Sequence, residues 1–275
     1  MSIDNCQLTI NDSNMNNWYL GTMGFGYKER VGAFYPAGMP SRAFLGHYSQ
    51  FFNAVEIDST FYGVPGVEQV KRWTAVTPPD FTFCVKTPRH ITHELRLVNA
   101  QEPMQSFLEV ISLLAEKLHV VLIQFPPDFD YAHFNNVRTF LKELPVDFRY
   151  AVEFRHRSWD TPGTAVLLRD YHTAWVSADY THMPRQVRRT ADFIYLRFIG
   201  PHGQFVTKDK ELVDKTAVLQ TWYQHLQPHL DKVEAVYGFF NNDYAGFSPR
   251  TCNRFKEIVG VGGDEIRPLQ QGRLF

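Results

Sequence analysis

The chain lacks most of the features that announce a location or a ready-made chemistry. Cysteine is scarce: Cys6, Cys84 and Cys252 are three in 275 residues, none in a CxxC, and an odd number cannot pair completely. That sets aside a disulfide scaffold and fits a reducing compartment. No apolar run approaches the ~20 residues needed to cross a bilayer; the longest buried-looking one, Val120 to Phe125, is strand-sized. The opening stretch MSIDNCQLTINDSNMNN carries neither the basic nor the apolar region of a secretory signal. A cytoplasmic protein with no membrane contact is expected. An excess of charge is missing too, since 28 basic against 29 acidic residues leave a formal net charge of −1 with His neutral. This argues against binding nucleic acid or membrane over the whole surface and leaves a local basic patch open. Gly24-Phe25-Gly26 lacks the third glycine of a dinucleotide turn, and there is no Walker loop or HExxH.

What is present is an alternation of strand-like and helix-like segments. The strand-like runs are YLGTMG from Tyr19, AVEI from Ala54, FTFCVK from Phe81, VVLIQF from Val120, RYAVEF from Arg149, TAWVSA from Thr173, FIYLRF from Phe193 and EAVYGFF from Glu234. They are near-continuous and rich in branched and aromatic residues, as strands buried on both faces are. Between them lie stripes at helical spacing, such as Met104, Phe107, Leu108, Ile111, Leu114 and Leu118 behind Pro103. Another stripe runs from Leu212 and Val213 through Thr216, Leu219, Trp222 and Tyr223 to Leu226. Ser41 and Ser248 are N-cap candidates beside prolines. The weakest link is HMPRQVRRTA after the sixth run, too short and too basic for a helix. Eight such runs fit a single-domain α/β TIM-type (β/α)8 barrel. The expected layout is a polar extension over 1–17, the barrel over 18–262 and a tail over 263–275.

In such a barrel the reacting groups sit at the C-terminal ends of the strands, and the unusual residues fall there. The second run ends in Glu56 and Asp58 with Phe61 and Tyr62 behind; the third ends at Lys86, with His90 and His93 following. Gln124 ends the fourth; Glu153, Arg155, His156, Arg157 and Trp159 follow the fifth; Asp179 ends the sixth. Arg197 and Gly200 belong to the seventh, Asn241 and Asn242 to the eighth. Alternation puts Glu153 and Arg155 on one face.

The blocks GFGYKERVGAFYP, FNAVEIDSTFYGVP, FTFCVKTPRHITH, QFPPDF, AVEFRHRSW, YLRFIG and FFNND stand in order over roughly Leu20 to Gly260. In this the chain resembles the YecE-like proteins, the domain of unknown function 72 family. The resemblance implies a TIM-type barrel and supplies no established substrate or reaction. One departure is Met23, where a small polar residue is more usual, so no hydroxyl stands there.

Charges within strand-like runs are costly to bury unless paired. One reading of Glu56, Lys86, Glu153 and Arg197 is therefore a salt-bridged plug. The other is a catalytic mouth, with Glu56, Glu153, Lys86 and His93 as acid, base or ligand and Arg155, Arg197 and Gly200 holding an anion. Tyr62, Trp159 and the remaining polar residues would line it. A divalent metal could draw on Glu56, His93, Glu153, His156 and Asp179, although no spacing diagnoses it. The loop Gly200-Pro201-His202-Gly203 makes phosphate the favoured anion, and Arg185, Arg188 and Arg189 add positive charge that nucleic acid would meet. Gln271, Leu274 and Phe275 resemble the peptide that docks on a bacterial sliding clamp. The expectation is an enzyme on a phosphate-bearing substrate, by acid–base or metal-assisted hydrolysis. Its rivals are a glycoside-type hydrolase using paired carboxylates and a non-catalytic binding module.

Overall fold

A computed structural model describes residues 17–262 except 182. The strands are β1 (Asn17–Met23), β2 (Ala54–Ile57), β3 (Thr82–Lys86), β4 (Leu118–Gln124), β5 (Tyr150–Glu153), β6 (Ala174–Trp175), β7 (Ser177–Asp179), β8 (Phe193–Phe198) and β9 (Ala235–Phe240). Helices α1 (Phe44–Tyr48), α2 (Val67–Val76), α3 (Gln101–Ile111), α4 (Phe134–Glu143), α5 (Pro162–Asp170) and α6 (Thr216–Leu230) lie between them. After β9 come α7 (Asn242–Ala245) and α8 (Ser248–Val259). Every pairing is parallel, in the order β6-β5-β4-β3-β2-β1-β9-β8-β7, a nearly closed TIM-type barrel.

β6 and β7 are two halves of the sixth barrel position, separated by Val176; the first pairs with β5 and the second with β8. The break has a side-chain cause. The Trp175 N–H donates to Thr190 Oγ1 at 2.8 Å, and that hydroxyl donates to the Thr173 carbonyl at 2.7 Å. Arg188 follows, its backbone N–H on Ser177 Oγ at 3.1 Å and its guanidinium 4.1 Å from the Trp175 ring. The basic segment is thus pinned along the strand, and among the described residues no helix joins β7 to β8.

Strand alternation builds two cores. Leu20, Val55, Phe83, Val121, Val152 and Ile194 point outward onto the helices. Ala54, Cys84, Val120, Ala151, Tyr195 and Tyr237 point into the barrel. Inside, small residues on β2, β5 and β6 face the aromatics of β8 and β9, so volume is shared across the lumen. Tyr19 stacks on Tyr237 at 4.9 Å near the floor. Local chemistry agrees with the helix ends: Thr161 Oγ1 accepts from the Thr164 N–H ahead of Pro162, and Gly260 closes α8 in the left-handed region. The expected serine caps are not formed. Ser41 begins a short 3-10 turn and Ser248 is the first residue of α8, its hydroxyl bonded to Asn242 instead. Leu212 and Val213 precede α6 rather than belonging to it.

Among the described residues, no helix is long and apolar enough to cross a membrane. Of the expected extension over 1–17, all but Asn17, the first residue of β1, lies outside the described residues, as does the tail with Gln271, Leu274 and Phe275.

Candidate active site at the barrel mouth

Glu56, Lys86, Glu153 and Arg197 all face the lumen at the C-terminal end, and the structure brings them together. The expected pocket among them is not open: their exposures are 0%, 8%, 1% and 3%. Arg197 is the hub. Its Nε donates to Glu56 Oε2 at 3.0 Å and its Nη2 to Oε1 at 2.7 Å, a bidentate pair, while Nη1 bonds Glu153. The Tyr195 hydroxyl donates to Glu56 at 2.8 Å, and Arg155 Nε donates to Glu153 Oε1 at 2.7 Å. Burial alone would raise the Glu153 carboxyl, but Arg197 and Arg155 outweigh it and hold the group down at about 2. Glu153 is therefore a fixed anion.

Lys86 is treated differently. Among the described residues, no carboxylate lies within ion-pair distance of its amine and no hydrogen bond leaves it; the nitrogen rests 4.0 Å from the centre of the Phe61 ring. Burial, with Arg197 and Arg155 nearby, lowers this amine to about 7. The backbone here is held by Thr60, whose hydroxyl donates to the Lys86 carbonyl at 2.6 Å. Asp58 stands half-buried at the same end, raised by burial and by Glu56. Burial, then Lys86 and Arg155, lowers His93 to about 4, so it is a neutral imidazole.

His93 lies on a single π-helical turn, His90–Glu94, with its ring 4.9 Å from Phe61. The two loop histidines part company there, because His90 turns outward to Glu94 at 2.8 Å. Arg96, Leu97 and Asn99 follow with φ of 50°, 67° and 53°, left-handed values that non-glycine residues adopt at a cost.

Several expected site residues are elsewhere. Asp179 is on the outward face of β7, bonded to Arg185, Trp222 Nε1 and the Tyr244 hydroxyl, so it anchors α6 and α7 to the barrel. Trp159 is fully buried, stacked 4.1 Å from Phe154 with its indole N–H on the Phe129 carbonyl, and shapes the loop from beneath. His156 Nδ1 is bonded to Ser158, capping the turn Arg157–Trp159. Gly200 offers no cradle for an anion: its N–H reaches the Asp179 carbonyl, and a Cβ there would meet the Asp243 carbonyl oxygen at 2.3 Å. Further along that loop the Gly203 N–H also turns to protein, donating to Asp243 at 3.1 Å. Asn242 is buried behind the mouth on Arg30 and Ser248. Gln124 bonds the Phe125 carbonyl, Asn241 touches the Met23 sulfur at 3.7 Å, and Tyr62 is 82% exposed on the rim. The five metal-ligand candidates are not assembled, and among the described residues no three His, Cys, Asp or Glu side chains are grouped to hold an ion.

Three residues escaped the sequence reading. Tyr195 could have been found by period two from Arg197. Phe61 follows Asp58 in the sequence with no sign that its ring lies under Lys86. Arg30 is fully buried on Thr22, Asn242 and Ser248 with its Nε unpartnered, in an irregular segment that carries no periodic signal.

Comparison with known proteins places this geometry in a known company. The profile of the family described as "Protein of unknown function DUF72" matches residues 19–273. UPF0759 protein YecE of Escherichia coli K12 is 35% identical over 212 residues, 68% of this chain and 77% of that protein. UPF0759 protein YunF of Bacillus subtilis 168 is 26% identical over 92% of this chain and 98% of its own. Among solved structures, a DUF72 family protein of Thermotoga maritima MSB8 superposes with a TM-score of 0.74 at 30% identity, over 89% of this chain and 99% of that one. One from Enterococcus faecalis V583, at 22% identity, shares the fold with a TM-score of 0.73 over 92% of this chain and 99% of its own.

Proposed function

Because the chain belongs to the DUF72 family of proteins of unknown function, its activity has to be read from the mouth, and we infer an enzyme that acts there on a phosphate-bearing substrate by acid–base chemistry. The observation that carries this is Lys86, a buried amine with no carboxylate partner set among two guanidiniums. An amine near 7 exists in both protonation states at neutral pH, which is what proton transfer to and from a substrate requires. Arg155 supplies the anion contact: only its Nε is spent on Glu153, and its two terminal nitrogens bond no described residue. Base-assisted hydrolysis is the simplest reaction of this kind. Glu56 and Glu153 then position Arg197 and Arg155 instead of moving protons, and this counts against a glycosidase, whose general acid must be protonated. Of the candidates for the metal-assisted route, His93 and His156 are the donors left unbound by a guanidinium, and His156 is taken up by Ser158.

Inorganic phosphate, a panel of phosphate esters and a short DNA strand test the reading by thermal shift and product analysis. We expect phosphate to raise the melting temperature of the native chain and not of Arg155→Gln, and Lys86→Met to bind a turned-over ester without converting it. Phosphates that leave the melting temperature unmoved would overturn it. A second reading, a non-catalytic binding module, is favoured by the continuous chain Arg155–Glu153–Arg197–Glu56 that closes the mouth; binding without turnover of any ester would support it. For nucleic acid the basic rim is smaller than a count of arginines suggests, since Arg185 and Arg188 are paired with Asp179 and Asp160. A cytoplasmic location and a sliding clamp docked by Gln271, Leu274 and Phe275 complete the proposal. A peptide of the last residues should bind such a clamp near micromolar Kd, about −8 kcal/mol, and lose it when both apolar residues become Ala.

A further inference from the structure

The group at the centre of that reading is also a nucleophile. Resting on the acid–base reading of the mouth, we propose that Lys86 forms an imine with its substrate, and that the substrate class is a small phosphorylated aldehyde or ketone.

The geometry separates Lys86 from the other ions of the mouth. A lysine kept only for its charge is placed against a carboxylate, and two carboxylates are within the same cluster. Both are instead saturated by guanidiniums, Glu56 by Arg197 and Glu153 by Arg197 and Arg155. The amine is left against the face of Phe61, and it is not among the fully enclosed polar nitrogens that lack a partner, so it keeps contact with solvent. An amine surrounded by fixed cations and an apolar ring is driven toward its neutral, electron-pair-bearing form. Arg197 cannot compete for the carbonyl carbon, because a guanidinium stays protonated.

The step balances with groups on the page. The Lys86 lone pair attacks the carbonyl carbon, and the C=O π pair moves to oxygen, giving a carbinolamine. Nitrogen loses both of its protons, oxygen gains two, and water departs as the C=N bond forms. The net change is amine plus carbonyl to imine plus water, with no oxidant or reductant. Asp58, the mouth carboxyl held by no guanidinium, lies close enough to Lys86 to feel its charge and is the group assigned to carry the proton, since burial favours its protonated form. Arg155 turns its unspent nitrogens to the phosphate. The imine nitrogen, once protonated among these groups, withdraws electrons from the neighbouring carbon, so C–H or C–C cleavage next to the carbonyl is the chemistry that follows.

The test incubates the whole chain with glyceraldehyde 3-phosphate, or glyceraldehyde as the uncharged control, then reduces it with borohydride and maps the adducts by mass spectrometry. At pH 7 the phosphorylated probe should label Lys86 at least about tenfold faster than the surface lysines, because an ordinary lysine is almost wholly protonated there. The labelling rate should rise with pH and level off above about 7, whereas a surface lysine keeps rising toward 10. Lys86→Arg, which keeps the cation, should abolish the adduct; a melting curve shows whether it folds, and the wild-type map decides the matter if it does not. Arg155→Gln should slow labelling by the phosphorylated probe alone. Label spread evenly over surface lysines with Lys86 unmodified overturns the imine. If phosphate still stabilises the protein in that case, the acid–base reading survives its loss. Equal labelling by both probes removes the phosphate requirement and keeps the nucleophile.

Discussion

The two guanidiniums of the mouth act on Glu153 and Lys86 with opposite sign. They make the carboxylate a permanent anion, and behind burial, which acts most strongly on the amine, they help strip it of its usual preference for charge. The cost of breaking the first arrangement follows from burial. Glu153→Gln leaves Arg155 and half of Arg197 facing a neutral amide inside the barrel, and removing one partner of a buried pair costs about 3–5 kcal/mol. Urea unfolding at pH 7 should show a loss of that size. An unchanged midpoint would mean that water replaces the pair and that the chain of ions contributes nothing to the fold. Tyr195→Phe is the milder companion: Glu56 keeps both bonds to Arg197 and loses one hydroxyl donor, a cost of about 1 kcal/mol.

At the scale of elements, the sixth barrel position and the loop after β8 are held by contacts that side chains, not strands, provide. Thr190→Val removes the hydroxyl that accepts the Trp175 N–H and should cost about 1–3 kcal/mol, with faster amide exchange at Trp175 and Val176. Gly200→Ala meets two obstacles, a φ of 71° and the Asp243 backbone, so a loss of about 2 kcal/mol or more is expected while phosphate binding at the mouth persists. Loss of binding with stability intact would restore Gly200 to the site. These positions also show how far the sequence could be read. AVEI was expected as a strand from Ala54, and β2 is Ala54–Ile57, because a continuous apolar run between turn residues has one reading. The split of the sixth strand had no local signature: its cause, Thr190, is 15 residues away. Asp179 was misplaced because Ala174, Trp175, Val176 and Ala178 are apolar on both faces, so nothing in the run said which face was inward. The mouth cluster was legible since ions interrupt apolar strands; its pairing was not, since which carboxylate takes which guanidinium is set by β2, β5 and β8 across the lumen.

For the molecule as a whole, the mouth writes a pH dependence into the stability of the barrel, and the two limbs have separate owners. Unfolded, the Glu153 carboxyl titrates near 4.3; folded, it is held at about 2. The folded state therefore releases its proton first, and the stability this brings is complete above the unfolded value and disappears as pH falls toward 2. Lys86 works on the other side. Its amine loses its proton at about 7 when folded and near 10.4 when unfolded, so between those values the unfolded chain binds the extra proton and stability climbs with pH. Below 7 both states are protonated and the full penalty of the buried cation is present. Lys86→Met should therefore raise stability by a few kcal/mol at pH 6, and the advantage should shrink steadily until it is nearly gone at pH 10. Chemical unfolding of both chains across that range measures the difference directly. A gap that stays constant with pH would show that Lys86 keeps an ordinary proton affinity in the fold, and the amine would then be one more cation in the plug and no longer a group fitted to exchange protons or attack a carbonyl.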